Sequence, residues 1–92
     1  MKTILLDGKK MNTKEETHEY ISKTLAFPDY YGKNLDALWD MLSTYDEPIH
    51  IVFKNTQTLK SNPDEYGNKI LKVFLDAKEN NDNISIEMED WV

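Results

Sequence analysis

Phe27-Pro28-Asp29-Tyr30-Tyr31-Gly32-Lys33-Asn34-Leu35-Asp36-Ala37-Leu38-Trp39-Asp40 reads as the end of one helix, a short loop and the start of a second helix. Pro28 biases Phe27 away from helical backbone, so a helix arriving from the N-terminal side ends near Ala26. Asp29 to Gly32 form the loop. Asn34 then offers a side-chain oxygen to the free N–H groups of a helix that runs to about Ser43. Along that helix Leu35, Leu38 and Leu42 recur at helical spacing and face a core, with Met41 at their edge. Asp36, Trp39, Asp40 and Ser43 fall at i, i+3, i+4 and i+7 on the other side.

Working outward, Thr13 and Glu16 form a Thr-x-x-Glu capping box that starts the first helix, whose apolar positions are Ile21 and Leu25, with Thr17 and Tyr20 alongside. Before it, Thr3 to Leu6 is a short apolar strand closed by the turn pair Asp7-Gly8. After the central stretch, Pro48 introduces Ile49 to Phe53, an apolar and β-branched run with the character of a central strand, interrupted only by His50. Asn62, Pro63 and Glu65 read as a cap with proline at the first helical position. Ile70, Val73, Phe74 and Ala77 stripe the long helix that follows. Asn80 to Asn83 stop it, and Ile84, Ile86 and Met88 alternate with Ser85 and Glu87 as a third strand. The order is β-α-α-β-α-β. Strands joined by helical crossovers pair in parallel, so the fold class is α/β, a small three-stranded parallel sheet with helices packed on it. Residues 1–92 read as one domain, without an internal repeat or a linker.

Composition narrows the function. Cysteine is absent, which removes disulfides, thiolate metal sites and cysteine nucleophiles together and suits a reducing, cytoplasmic setting. Ile4, Leu5 and Leu6 fall far short of a signal peptide, and no run is long enough to span a bilayer. Seventeen acids against eleven bases give a formal charge of −6. That balance disfavours RNA, DNA and anionic membranes as partners and favours a basic protein, although acidity by itself also serves only to keep a small protein soluble.

The placement of the acids is more telling than their number. Asp36 and Asp40, like charges one turn apart, weaken an isolated helix by roughly 0.2 to 0.5 kcal/mol. An indole left in water forgoes burial. Tyr30 and Tyr31 before the helix and Tyr45 after it surround the acids with aromatic rings able to anchor an interface, and Asp46 and Glu47 extend the negative field. The plainer reading folds Trp39 into the core, pairs Asp36 with Lys33 and leaves Asp40 solvated. The functional reading places carboxylates on a rigid helix where they can meet Arg or His in the anionic-substrate cleft of a basic protein.

The stretch from Phe27 to Asp40 resembles the signature of the barstar family of ribonuclease inhibitors. The likeness continues through Val73-Phe74 and Ala77-Lys78 to the Ile84-Ser85-Ile86 strand, and is weaker from Glu47 to Gly67. It implies a cytoplasmic inhibitor, monomeric when free, that forms a 1:1 complex with a small basic extracellular ribonuclease of the barnase-like, guanyl-specific type and plugs its active site. Asp40 would enter the phosphate-binding site. Tyr30 would stack on a loop of the enzyme, Asn34 and Leu35 would touch loop backbone, and Asp36 would take an Arg or a backbone N–H. Trp39, Ser43 and Tyr45 would supply surrounding contacts, and Asp76 on the last helix would reach a more peripheral base. The resemblance also suggests a cis Glu47–Pro48 bond, the minority state for any X-Pro bond. This chain departs from the family pattern at Ser43 (threonine), Thr44 (glycine), Tyr45 (tryptophan) and Asp76 (glutamate), and lacks one residue before Pro48.

Other chemistries fit less well. His18 and His50 could in principle serve a ribonuclease, yet an acidic chain without a basic track is a poor RNA binder. Asp36 and Asp40 lack a calcium loop or a bound phosphate to make a Mg²⁺ or Ca²⁺ site. No catalytic residue, metal or cofactor is expected. The competing reading is a non-inhibitory interaction domain, or an immunity protein against a different basic nuclease or toxin, using the same face.

Overall fold

The computed structural model describes residues 2–61 and 65–89. Three strands, β1 (Lys2–Asp7), β2 (Ile49–Lys54) and β3 (Ile84–Met88), form a parallel sheet in the order β1-β2-β3. Their register sets Ile4 beside Ile51 and Ile51 beside Ile86, so apolar side chains align in rows across the sheet. Ile4, Leu6, Ile49, Ile51, Phe53 and Ile84 are buried, whereas Thr3, Leu5 and Glu87, pointing the other way, are exposed. Strand order without reversal, combined with crossovers of one hand, leaves all helices on one side of a sheet. The alternation of burial matches that arrangement.

Helix α1 (Lys14–Leu25) follows β1 after a single 3-10 turn at Gly8–Lys10. The Thr13 hydroxyl accepts from the Glu16 N–H at 3.1 Å, as the capping box requires. At the other end Ala26 takes φ 56°, its N–H bonds the Lys23 carbonyl and the Phe27 N–H bonds that of Ser22. Those two bonds are the Schellman pattern, and Pro28 prevents any continuation. Helix α2 (Leu35–Ser43) starts where Asn34 Oδ1 accepts from the Ala37 N–H at 2.7 Å. The expected β-α-α-β-α-β order is therefore present, with one addition.

That addition is α3 (Thr56–Lys60), a single short helix directly after β2. Isolated helices of this length are unstable in water and give almost no sequence signal. Asn55 turns the chain into it at φ 57°, a left-handed geometry that asparagine tolerates, and its side-chain amide donates to the Asp7 carboxylate at 2.8 Å. Leu59, fully buried, anchors α3 to the core. Helix α4 (Tyr66–Asn80) comes next and carries the stripe of Ile70, Phe74 and Ala77, all fully buried, with Val73 at its edge. The expected Asn62–Pro63 cap lies outside the described residues. The described helix begins instead after Glu65, which sits at φ 59° and makes no side-chain cap. The cis Glu47–Pro48 bond is not found: that bond is trans, in keeping with the usual preference.

Phe53 of β2 meets Phe74 of α4 edge to face, ring centres 5.0 Å apart. This geometry suits aromatic quadrupoles and joins sheet to helix layer. Gly67 allows α4 to touch α3, since a Cβ there would lie 1.9 Å from the Leu59 carbonyl oxygen. In an open helix Gly→Ala gains about 1 kcal/mol. Here the overlap is with backbone and reverses the sign. Gly67→Ala is expected to lose about 2 kcal/mol or more, seen as a lower urea midpoint at unchanged slope. A variant as stable as the parent would show that the α3–α4 contact is not close.

Candidate partner-binding face

The loop that delivers the chain from α1 to α2 is fixed by its alternate residues. Tyr31 is buried: its ring packs on Phe27 with centres 5.0 Å apart, and its hydroxyl lies 2.7 Å from His18 Nδ1. The other imidazole nitrogen of His18 bonds the Tyr66 hydroxyl. One ring nitrogen carries a proton and the other does not, so one tyrosine donates to the ring and the other accepts from it. Burial, and then the positive Lys14, push the His18 pKa below its ordinary value of 6.5. Burial, and then Tyr66, push that of Tyr31 up. Both groups are neutral through the physiological range. Tyr31 is therefore not an interface anchor but part of the support beneath the loop. Tyr30, one residue earlier, is left 83% exposed at the loop surface.

Lys33 takes φ 53° immediately before the cap, a left-handed turn that costs an L-residue of order 1 kcal/mol or more and gives α2 its abrupt entry. The helix then divides by face. Leu38 and Leu42 are fully buried, and Leu35 and Met41 pack at the edge of the core. Asp36 and Asp40 are exposed, while Ser43 is half-buried. Trp39 is intermediate. Its ring rests against the core yet keeps part of its surface in solvent, so neither extreme reading of this residue holds. Among the described residues the ion pair between a lysine and a carboxylate is Lys23–Glu19, so Asp36 does not take Lys33 as a partner.

The sequence-predicted residues gather in groups. Tyr30 and Asp40 line one small depression of about 210 Å³ together with Gly32, Ala37 and Met41. Ser43 and Tyr45 line a second, of about 430 Å³, with Asp46, Glu79, Asn81 and Asp82. Asn34 is committed to its cap, and its side-chain nitrogen also donates to the Gly32 carbonyl at 3.2 Å. Asp76 stands apart: it is exposed on α4 but lines a third depression with Lys60, Leu71, Lys72, Leu75 and Met88. The two histidines are not brought together. His18 is sealed in the core, whereas His50, on the helix-free side of the sheet, bonds Ser85 Oγ at 2.7 Å and Glu87 at 3.3 Å.

Two contributions escaped the sequence reading. His18 gave no signal as a lone imidazole in an amphipathic helix, and only its spacing from two distant tyrosines in the folded chain reveals the cluster. Asn81 and Asn83 read simply as helix-stopping residues, yet their side chains reach back to the end of α2. Among the described residues no helix is long and apolar enough to cross a membrane.

The family described as Barstar (barnase inhibitor) matches residues 1–89. The chain belongs to the barstar family. A Bacillus subtilis (strain 168) protein named "Putative ribonuclease inhibitor YrdF" is 39% identical over 80 residues, which cover 86% of this chain and 88% of that one. The barstar relationship thus spans the loop, α2, the central strand and α4 together.

A pH experiment tests the support beneath the loop of this barstar-family protein. His18 in the folded state titrates below its unfolded value of 6.5, so the unfolded chain binds the extra proton first as pH falls. The stability that neutral His18 contributes is complete above 6.5 and declines as pH drops below it. Between those pKa values the slope is at most about 1.4 kcal/mol per pH unit, one proton's worth. Urea unfolding from pH 8 to 5 should show this decline, and His18→Gln should flatten it even where the variant is less stable at pH 8. Identical slopes in the two proteins would remove His18 as the cause.

Proposed function

We propose that this protein is a cytoplasmic inhibitor of a small basic extracellular ribonuclease of the barnase-like type, and that it blocks the enzyme by inserting the acidic face of α2 into the active site. The observation that carries this reading is the division of α2: its leucines are consumed by the core, while Asp36 and Asp40 stand exposed and Asp40 shares a depression with the exposed ring of Tyr30. The family match and the name of the Bacillus relative support the same function.

In this mechanism the inhibitor performs no chemistry. A ribonuclease cleft must hold a phosphate with cationic donors, and a carboxylate set on a rigid helix offers those donors an anion without a bond to break. Asp40 takes the phosphate position against Arg and His. Asp36 takes a neighbouring Arg or backbone N–H, and Tyr30 stacks on a loop of the enzyme. Asn34, Leu35, Trp39, Ser43 and Tyr45 complete the contact, with Asp76 a peripheral charge. Opposite net charge speeds the encounter, and one inhibitor closes one active site as a 1:1 complex of a free monomer.

Pre-organisation is what makes such a face useful. Trp39 and the capped start of α2 are already held by the fold, so few side chains remain to be ordered on binding. The changes from the family pattern at Ser43, Thr44 and Tyr45 lie at the C-terminal end of α2, away from Asp36, and would tune which nuclease or toxin fits.

Titration against a guanyl-specific bacterial ribonuclease, followed by RNA cleavage, tests this function. Stoichiometric inhibition is expected, and Asp40→Ala should weaken it a hundredfold or more, about 3 kcal/mol for two charge-assisted hydrogen bonds. The unfolding free energy of that variant should stay within about 0.5 kcal/mol of the parent's, since the side chain is exposed. Tyr30→Ala should likewise keep its stability and lose affinity. Full inhibition by Asp40→Ala would overturn the assignment of that residue. Binding to the nuclease without loss of its activity would favour the non-inhibitory interaction domain.

A further inference from the structure

The C-terminal end of α2 is finished with neither a glycine nor a cation. Four carbonyls there have no partner within the helix. Helices commonly resolve this with glycine in left-handed backbone just past the end, or with a cation in the last turn. Thr44 instead takes φ −105°, and the last turn of α2 contains no basic residue. The Asp40 carbonyl accepts from the Thr44 N–H at 3.3 Å and from the hydroxyls of Thr44 at 2.7 Å and Ser43 at 3.3 Å, and the Leu42 carbonyl accepts from the Tyr45 N–H at 3.2 Å.

The carbonyls of Leu42 and, past the helix, Tyr45 are also served from elsewhere in the fold. Asn81 Nδ2 donates to the carbonyls of Leu42 and Tyr45, each at 2.9 Å, with a longer approach to Ser43 at 3.5 Å. Asn83 Nδ2 donates to Tyr45 at 3.1 Å. The two asparagines are themselves locked together, because the Asn83 N–H donates to Asn81 Oδ1 at 3.0 Å. The Asn83 carbonyl accepts from the Ile49 N–H at 2.8 Å, which ties the clasp to the central strand.

We infer that Asn81 and Asn83 are positioning residues for partner binding: they act as an inter-element cap that fixes the Ser43–Tyr45 turn, and through it the Tyr45 ring at the edge of the acidic face. This rests on the function proposed above. The physical logic is one of cost before binding. A turn without a glycine cap, held only by the long backbone bonds of Thr44 and Tyr45, would sample several conformations, and the partner would have to select one. Hydrogen bonds from a loop anchored on the sheet remove that choice in the free protein.

Asn81→Ala and Asn83→Ala in the full chain test this, with two readouts. In the free protein, amide hydrogen exchange at Thr44 and Tyr45 should accelerate about tenfold in Asn81→Ala, the equivalent of one ordinary hydrogen bond, while amides in the middle of α1 keep the parent rate. Inhibition of the ribonuclease should weaken by a similar factor, and that loss should vanish in a Tyr45→Ala background while persisting in a Tyr30→Ala background. An equal loss in both backgrounds would mean a general stability effect and would overturn the inference, as would unchanged exchange at Thr44 and Tyr45. If Asn81→Ala does not fold, Asn83→Ala, which removes a single bond to the Tyr45 carbonyl, is put through the same comparison. If the parent protein does not inhibit the enzyme, the proposed function is what fails, and the exchange comparison still decides whether the two asparagines hold the turn.

Discussion

Ile49, Ile51 and Phe53, alternate residues of the central strand and all withdrawn from water, set the position of everything else. Flanked on both sides by parallel partners, β2 turns these three side chains toward the helices, and Phe53 meets Phe74 there. That contact seats α4, and α4 is the element against which α2 packs. The acidic face is thus held by a chain of apolar contacts that begins in the sheet. None of the exposed carboxylates takes part in it, so the fold and the proposed charged contacts draw on separate side chains.

The separation explains why so much was legible in the sequence. Leu35, Leu38 and Leu42 announce the buried side of α2, and once that side is known the opposite stripe of Asp36 and Asp40 follows from helical geometry alone. Thr13 and Asn34 are caps by residue type, and Pro28 marks a boundary by its covalent ring. Where a short-range rule governs, the chain can be read directly. Trp39 is different, since helical phase places it at the border of the two faces and only packing decides how far the indole sinks.

What was not legible depends on residues distant in the chain. Helix α3 has no propensity or cap to announce it. It exists because Leu59 finds the core and because Gly8 and Gly67 let backbone approach backbone, with a Cβ at Gly8 falling 2.3 Å from the Asn55 carbonyl oxygen. Tyr31 looked like its neighbour Tyr30, and the difference between a buried support and an exposed ring comes from His18 and Tyr66. Asn81 and Asn83 could be read as breakers of α4 but not as donors to α2. In each case a hydrogen bond or a close contact between separate elements decides, and no window of local sequence contains both partners.

The strand order has a consequence for the kind of recognition this scaffold supports. In doubly wound sheets the order of strands reverses, adjacent crossovers part to opposite sides, and a crevice opens at the ends of the strands where small ligands settle. A sheet that proceeds from β1 to β2 to β3 without reversal has no such parting. Its builders of surface are the outward sides of its helices and the loops between them, which can project into a cavity owned by another molecule more readily than they can enclose one. A scaffold of this shape is suited to act as the key, with the lock supplied by its partner.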